Sequence, residues 1–170
     1  MLVTMKEILD RAKKDNYGVT SIMVDRSSLS YEDNIAQTKE TVKMCRPLNI
    51  SVEAELGHVG QSEDYSSDGS DHFTKPEEVK KFVEETGIDC LAVAIGTAHG
   101  RYHGTPHIDF DLLKQITDVV DIPLVLHGGS GTSDENLRKA VKNGIQKVNL
   151  ATELVVAGKE ELETFIQDKN

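Results

Sequence analysis

Cysteine is scarce in this sequence. The two cysteines, Cys45 and Cys90, stand far apart and show no Cys-x-x-Cys spacing. We therefore expect two buried free thiols in a reducing compartment, the cytoplasm, rather than a disulfide.

Basic residues are also few, with 19 Lys and Arg against 29 Asp and Glu, which leaves a formal net charge of −10. They are scattered along the chain and form no cluster. Because surfaces that bind nucleic acids or anionic membranes need clustered Lys and Arg, we exclude both as partners.

Long apolar runs are missing too. No run approaches the ~20 residues that a membrane-spanning helix needs. Residues 1–7 do not combine a basic region with an apolar core, so we expect neither a membrane span nor a signal peptide. The chain of 170 residues is long enough for a sizeable core, and no low-complexity linker divides it. We predict a single cytoplasmic domain over residues 1–170.

What recurs in the chain is a junction where a helix ends, a glycine follows and a β-branched strand begins. This junction occurs at residues 16–19, 85–88 and 142–145. The predicted helices include Met5–Asn16 and Tyr31–Cys45, whose apolar residues recur at helical spacing. Pairs with capping-box spacing precede the helices at Thr4 and Glu7, at Ser30 and Asp33, and at Thr74 and Glu77.

Between the predicted helices lie short, nearly continuous apolar runs. They are Ser21–Val24, Ile50–Leu56, Cys90–Ile95, Ile122–Leu126 and Val148–Leu150. Such runs are typical of parallel strands that are covered on both faces. Strands alternating with helices predict an α/β protein with a parallel sheet, either a barrel or part of one. The long polar segment Gly57–Phe73 interrupts this pattern, and it fits a functional loop and a plain surface loop about equally well.

Each predicted strand ends at or near a residue that can bind a metal or a polar ligand. These residues are Asp25, Glu55, His99, His127 and Asn149. Because the carboxyl ends of parallel strands meet at one face, we expect these side chains to converge there. Taken singly, each fits a structural residue or a surface charge better than a ligand. Together, two imidazoles and a carboxylate form a known ligand set for catalytic zinc, and they also suit other divalent metals.

Glycine-rich segments follow two of the predicted strands. Residues 127–131 read His-Gly-Gly-Ser-Gly, and residues 95–100 read Ile-Gly-Thr-Ala-His-Gly. Such backbone can turn N–H groups toward an anion, and a helix predicted to begin after Ser133 adds a favourable N-terminus. Glycines that only form tight turns are the alternative. Beside two candidate metal ligands, a phosphate site is the better interpretation, so the residues predict a divalent metal and a small phosphorylated ligand.

Four segments, taken in order, carry a more specific signal. They are Ser51–Gly57, Ala94–Gly100, Pro123–Ser130 and Lys147–Leu154. Together they resemble the class II fructose- and tagatose-bisphosphate aldolases over about residues 20–154, and the opening helix Leu2–Tyr17 is also similar to that family.

The resemblance implies a TIM-type (β/α)₈ barrel. It also implies zinc-dependent aldol cleavage of a ketose 1,6-bisphosphate to dihydroxyacetone phosphate and glyceraldehyde 3-phosphate, or the reverse condensation. The implied partner is this small sugar bisphosphate, and the implied assembly is a homo-oligomer. The resemblance allows another divalent metal in place of zinc, and a monovalent cation as an additional cofactor.

The resemblance also assigns metal-binding and catalytic roles to individual residues. His99 and His127 match zinc ligands. Glu55 and Asp25 match acidic positions near the metal. Glu63, in the long polar segment, matches a loop residue implicated in proton transfer.

A second group of positions matches residues that bind phosphate or the substrate. They are Gly100, His103, Gly128, Gly129, Ser130, Asn149, Ala151 and Thr152. His103 stands where the family often has Lys, and a neutral His is a weaker phosphate partner. Ala151 stands where fructose-type enzymes commonly have Asp, which favours the tagatose-type branch.

The chain departs from the family pattern near its start. Residues 1–17 match the N-terminal helix, but Thr20–Asp25 resembles the fourth strand, so we expect strands four to eight within residues 20–154. The missing part includes the His-x-Asp-His motif with the general base and a further zinc ligand, and the C-terminal segment is short or missing. The predicted fold is an incomplete barrel of about five of eight βα units. Glu55, His58 or His103 could complete the zinc ligands.

Three functions remain open at this point. The first is an aldolase whose activity is weak, lost or supplied through assembly with another chain, since losing the general base costs about 10²–10⁴ in rate. The second is a catalytically inactive remnant or partner subunit that binds zinc or a sugar phosphate. The third is another phosphate-binding barrel enzyme, such as an isomerase or epimerase, which the paired Thr-Ala-His-Gly and His-Gly-Gly-Ser motifs disfavour.

Overall fold

A computed structural model describes residues 7, 9, 10, 18–61, 72–102, 104 and 106–168 of the chain. Along these residues, five strands alternate with helices. The strands are β1 (Ser21–Val24), β2 (Ser51–Leu56), β3 (Cys90–Val93), β4 (Leu124–Leu126) and β5 (Ile145–Val148). The helices are α1 (Tyr31–Cys45), α2 (Pro76–Thr86), α3 (Phe110–Thr117), α4 (Asp134–Lys142) and α5 (Thr152–Asp168), and a 3₁₀ turn at Arg46–Leu48 follows α1.

The strands form one sheet in the order in which they occur in the sequence, and every neighbouring pair is parallel. A parallel pair needs a connection that returns the chain to the starting edge, so the carboxyl ends of all strands lie together. Within the described residues, β1 and β5 each pair with one neighbour only, so the sheet is open. The predicted parallel α/β fold is confirmed, and it is consistent with an incomplete barrel.

Two elements illustrate where the predicted bounds held and where they did not. The fifth strand covers Ile145–Val148, whereas the sequence predicted Val148–Leu150. The reason is packing, since Ile145 is buried in the core and Leu150 is 44% exposed. The strand Ser21–Val24 agrees with its prediction.

Helix α1 also has the predicted bounds. Ser30 caps it by accepting a hydrogen bond from the N–H of Asp33. Of the helix predicted at Met5–Asn16, only residues 7, 9 and 10 lie within the described part of the chain, and they are helical.

Thr74 does not cap helix α2, contrary to the capping box predicted with Glu77. The N-cap is Lys75, whose side chain makes no capping hydrogen bond. Thr74 is buried instead, and its hydroxyl donates to the carbonyl of Leu56 at 2.5 Å and accepts from the N–H of Ala94 at 2.8 Å. The hydroxyl therefore joins the ends of β2 and β3 by satisfying two backbone groups in the interior.

The two faces of the sheet differ in chemistry. Side chains alternate along a strand, so Val52, Ala54 and Leu56 of β2 pack into the hydrophobic core. Glu53 and Glu55 lie on the other face, where they are only 2% and 0% exposed. The prediction that the strands are covered on both faces is therefore confirmed for β2, although one of its two faces carries two buried carboxylates.

Cys45 and Cys90 are free thiols. The prediction of two buried thiols is confirmed for Cys45 only, because Cys90 is partly exposed. Burial and the neighbouring Glu53 carboxylate raise the pKa of the Cys90 thiol to about 11, so it stays protonated at neutral pH.

None of the helices in the part of the chain that the structure describes combines the length and the apolar character of a membrane span.

Candidate functional site

The carboxyl ends of the strands bring several of the predicted ligands together. Glu55 lies near the end of β2 and is fully buried, and His127 follows β4 directly and is 5% exposed. Oε2 of Glu55 lies 3.0 Å from Nδ1 of His127. The centroid of the His99 ring lies 5.7 Å from that of the His127 ring. Two imidazoles and a carboxylate that are distant in the sequence therefore lie side by side.

Both ring nitrogens of His127 face carboxylates. Nε2 lies 2.9 Å from Oε1 of Glu53, and because a carboxylate can only accept, Nε2 donates this hydrogen bond. Burial disfavours the charged imidazole, but the bond to Glu53 and the nearby Glu55 outweigh burial and raise the pKa of His127 to about 9. A metal ion at this histidine would have to replace a proton.

The two oxygens of Glu55 have different surroundings. Oε1 accepts from the N–H of Val59 at 2.8 Å and from the hydroxyl of Ser27 at 3.0 Å. The Ser27 oxygen lies 2.8 Å from Nδ1 of His58, which donates because the serine proton goes to Glu55. Oε2 is buried and lies 3.0 Å from Nδ1 of His127, in an ion pair that lacks hydrogen-bond geometry. A metal ion that replaces the Nδ1 proton could therefore bind between these two atoms.

Asp25 lies at the edge of this group. It is exposed, and its Oδ1 accepts from the N–H of Ser27 at 2.8 Å. Partial burial raises its pKa, but the hydrogen bond from Ser27 and the nearby His58 and His127 outweigh burial and lower the pKa below its ordinary value. Asp25 is therefore an ionised carboxylate that interacts electrostatically with the histidines.

The donors present fit zinc by their chemistry. His99 and His127 supply imidazoles, and Glu55 supplies a buried oxygen that lies 3.0 Å from Nδ1 of His127. Zinc prefers this combination of donor types. Across the described residues, no three His, Cys, Asp or Glu side chains converge closely enough to enclose a metal ion. The chain thus brings the right donors to one place without arranging them as a closed ligand set.

The glycine-rich turn after β4 packs against the turn after β3. Gly128 has a φ of +65°, and a Cβ there would lie 2.2 Å from the carbonyl oxygen of Ala98, so the position requires glycine. The hydroxyl of Tyr102 accepts from the N–H of Ala98 at 2.5 Å and lies 3.0 Å from the carbonyl oxygen of Gly128. These contacts set the position of His99 relative to His127.

Ser130 connects the same turn to the beginning of helix α5. Its hydroxyl oxygen accepts from the N–H groups of Ala151 and Glu153, at 3.0 and 3.3 Å. The N–H of Gly129 donates to the carbonyl of Asn149 at 3.1 Å. Several predicted substrate-binding positions are therefore neighbours, but the N–H groups of Gly129 and Ala151 already have partners inside the protein.

A cavity of about 340 Å³ opens beside this turn. Among the predicted phosphate-binding positions that the structure describes, Gly100, Ser130 and Thr152 line it. Arg101 contributes a positive charge to the same cavity, and Glu153 contributes a negative one. Its volume lies within the range of small-molecule sites. A second cavity, of about 250 Å³, lies at the opposite end of the strands and is lined by no predicted site residue.

Glu63 and His103 lie outside the described residues. Their assignments to proton transfer and to phosphate binding stay predictions. The sequence also offered His58 as a residue that could complete the zinc ligands. Nδ1 of His58 lies 2.8 Å from the hydroxyl oxygen of Ser27 and 3.9 Å from Oε1 of Glu55.

Sequence reasoning missed three charged residues near the site, Glu53, Lys147 and Arg101. Nζ of Lys147 lies 2.5 Å from Oε2 of Glu53. A Glu in a strand predicted to be buried on both faces is costly without a partner, and that signal could have identified Glu53. Nothing in the spacing could have linked it to Lys147, which is 94 residues away.

Comparison with known proteins identifies what the chain is similar to. The family model described as class II fructose-bisphosphate aldolase matches residues 3–170. The crystal structure of the YdjI aldolase from Escherichia coli K12 is 40% identical, with a TM-score of 0.79, over 95% of this chain and 55% of that chain. The fructose-bisphosphate aldolase of Campylobacter jejuni is 24% identical, with a TM-score of 0.74, over 96% of this chain and 52% of that chain, and this likeness concerns the fold alone. The chain spans about half the length of these solved structures.

Proposed function

Because the chain belongs to the class II fructose-bisphosphate aldolase family, we propose that it carries part of the active site of a zinc-dependent aldolase. The proposed reaction is cleavage of a ketose 1,6-bisphosphate to dihydroxyacetone phosphate and glyceraldehyde 3-phosphate, or the reverse condensation. The observation that carries the proposal is the pairing of His99 and His127 beside Oε2 of Glu55, which is buried and lies 3.0 Å from Nδ1 of His127. Residues 20–154 would then supply strands four to eight of the barrel within a single domain.

His99, His127 and Glu55 would hold the zinc, and Asp25 would add negative charge close to it. Zinc bound there supplies a Lewis acid that polarises the substrate carbonyl. The protein's part is to exclude water around His127 and Glu55, which are buried, and to leave one side of the group accessible through the half-buried His99. Glu63 would move a proton from the loop that follows β2.

The cavity beside the glycine-rich turn would bind a phosphate of the substrate. Gly100, Ser130 and Thr152 line it, and Arg101 supplies a positive charge there, which matters because His103 stands where a Lys is expected. Gly128 and Gly129 would shape the turn, and Asn149 would contact the triose. Ala151 favours tagatose bisphosphate over fructose bisphosphate.

A catalytically inactive protein that binds zinc and a sugar phosphate is the second candidate. One observation favours it, because the described donors lie together without enclosing a metal ion, as in an incomplete catalytic site. We also propose a cytoplasmic location, which the two free thiols support.

The experiment that separates the two candidates is an assay of the purified chain with fructose and tagatose 1,6-bisphosphates, with zinc and with a chelator. Chelator-sensitive cleavage would support the aldolase. If no other group replaces the general base, its rate should be about 10²–10⁴ lower than that of an aldolase that has the base. Zinc and sugar-phosphate binding without cleavage in a folded sample would support the binding protein. A folded chain that binds neither would contradict both.

The ligand assignment has its own test. We expect His99→Ala and His127→Ala each to weaken zinc binding by more than about tenfold, since even the loss of a residue that only supports a ligand costs that much. Glu84→Ala is the control, because Glu84 is 66% exposed on helix α2. Competition with a chelating dye measures the affinities. Equal zinc affinity in the three variants would rule out the assignment.

A further inference from the structure

Glu53 is a buried carboxylate for which the proposed aldol chemistry provides no direct role. It lies in the middle of β2, on the face opposite the hydrophobic core, and is 2% exposed. Its partners come from three other parts of the sheet. Nε2 of His127 lies at 2.9 Å, Nζ of Lys147 at 2.5 Å, and Sγ of Cys90 at 3.7 Å. Burying a charge of this kind is unfavourable unless it is fully paired, so its surroundings need an explanation.

We propose that Glu53 and Lys147 form a positioning pair that orients His127 so that Nδ1, and not Nε2, is the nitrogen offered to the metal. This inference rests on the proposed function, since it concerns how a proposed zinc ligand is held. Glu53 and Lys147 are positioning residues, because they act through His127.

The orientation of the His127 ring determines which of its nitrogens can bind a metal. An imidazole has two nitrogens, and the one that binds a metal is selected by the hydrogen bond that the other makes. In this structure Glu53 accepts from Nε2. Nδ1 faces Oε2 of Glu55 at 3.0 Å, a contact that lacks hydrogen-bond geometry and so holds Nδ1 less firmly than Glu53 holds Nε2. The atoms between which a cation would bind therefore lie on the side of the ring away from Glu53.

Lys147 holds the carboxylate of Glu53 in one orientation. Glu53 uses different oxygens for its two main partners, Oε1 for His127 and Oε2 for Lys147. The ammonium group compensates the negative charge of the carboxylate and restricts its rotation, so Oε1 keeps one direction. Lys147 reaches Glu53 from β5, with β3 and β4 between the two strands. The pair thus connects the outer strand of the sheet to the histidine that follows β4.

Zinc affinity provides the first test, measured by competition with a chelating dye on proteins shown to be folded by circular dichroism. We expect Glu53→Ala to weaken zinc binding by about 10–100-fold. Glu53→Gln keeps an acceptor oxygen for Nε2 and should recover most of the affinity. Lys147→Met should fall between the two, and Lys147→Arg should resemble the wild type. Lys142→Met is the matched control, because Lys142 is an exposed lysine at the end of helix α4.

The tautomer of His127 provides a readout that a purely structural role of Glu53 would not change. In the zinc-loaded protein, nitrogen-15 NMR of the histidines should show a proton on Nε2 of His127 and metal coordination at Nδ1. Metal coordination at Nε2 would overturn the proposal. Should Glu53→Ala fail to fold, the comparison of Lys147→Met with Lys147→Arg tests the same pair.

The outcomes separate this inference from the proposed function. A wild-type chain that binds zinc, with unchanged affinity in Glu53→Ala and Lys147→Met, would overturn the positioning pair and leave the aldolase proposal standing. A folded wild-type chain that binds no zinc would overturn both. Weaker binding in Lys147→Met but not in Lys142→Met, with Nδ1 as the coordinating nitrogen, would support the pair.

Discussion

At the scale of single residues, two opposing effects act on the charge of the His127 ring. It is buried, which favours a neutral ring, yet Glu53 and Glu55 face its two nitrogens and favour a charged one. The carboxylates outweigh burial, so the pKa of His127 rises to about 9. A proton and a metal ion therefore compete for the same side chain. In the metal-free protein, the protonation of His127 makes the free energy of unfolding depend on pH.

We expect the free energy of unfolding of the metal-free protein to fall as pH rises from about 6.5 to about 9. Folded His127 keeps its proton up to a pKa of about 9, whereas the ordinary value is 6.5. The folded state therefore binds more protons in this interval, and raising the pH favours unfolding. Urea unfolding in the presence of a chelator, at about pH 6, 7.5 and 9, measures the effect.

The matched protein for this prediction is the His127→Gln variant. Subtracting its pH dependence removes the contributions of all other titrating groups. The wild type should lose more stability than the variant over the same interval. Identical pH dependence in the two proteins would show that His127 is not stabilised as an imidazolium.

At the scale of elements, the site depends on how the loops at the carboxyl ends of the strands are joined. Thr74 joins β2 to β3 through its hydroxyl, and Gly128 allows the turn after β4 to pack on Ala98. Both contacts involve the backbone, so they hold independently of any ligand. A loss of either should appear first as a loss of stability.

The variant Thr74→Val tests the first contact. Valine has nearly the same shape, but it leaves the carbonyl of Leu56 and the N–H of Ala94 without their buried partner. We expect a loss of about 1–3 kcal/mol in the free energy of unfolding, measured with urea. Thr164→Val is the control, because Thr164 is exposed on helix α5. Equal stability of the two variants would contradict the joining role of Thr74.

The variant Gly128→Ala tests the second contact. An added Cβ would lie 2.2 Å from the carbonyl oxygen of Ala98, at a backbone φ of +65°. We expect a loss of about 2–4 kcal/mol from strain and overpacking together. At Gly60 an added Cβ would meet nothing within 4 Å, so Gly60→Ala should cost little by comparison. Thermal unfolding followed by circular dichroism measures both, and a tolerated alanine at 128 would show that the turn can move.

At the scale of the whole molecule, the open sheet leaves two strand edges unpaired, and helix α5 leaves apolar surface exposed. Within the described residues β1 and β5 each have a single strand neighbour. On helix α5, Leu154, Val155 and Leu162 are 70%, 72% and 64% exposed. Exposed apolar patches of this kind mark association surfaces. They support the proposal that the chain forms a homo-oligomer or assembles with another chain.

We therefore expect the purified chain to self-associate in a concentration-dependent way, and Leu162→Lys to shift it toward the monomer. A lysine in the apolar surface of α5 would have to be desolvated in the assembly, which is unfavourable. Gln167→Lys adds the same charge at an exposed polar position of the same helix and is the control. Sedimentation velocity measures the distribution. A monomeric wild type would contradict the prediction.

Much of the architecture followed from local pattern. Apolar spacing and helix caps act within a few residues, so they predicted the alternation of strands with helices and the parallel sheet. They also predicted the bounds of Ser21–Val24 and Tyr31–Cys45. The ordered motifs also indicated the family, since four motifs in one order are specific. Thr74 shows the limit of such reasoning, because it has capping-box spacing but its hydroxyl instead binds the backbone at the ends of β2 and β3.

The sequence by itself determined which residue types stand at the strand ends, among them the two histidines and Glu55. Only the tertiary structure decided how they are used. It placed the carboxylate of Glu53 in contact with His127 and with Lys147, which is 94 residues away, and it placed Oε2 of Glu55 3.0 Å from Nδ1 of His127. The reason is physical. The cost of burying a charge depends on partners that other strands bring to it, and no local spacing specifies those partners.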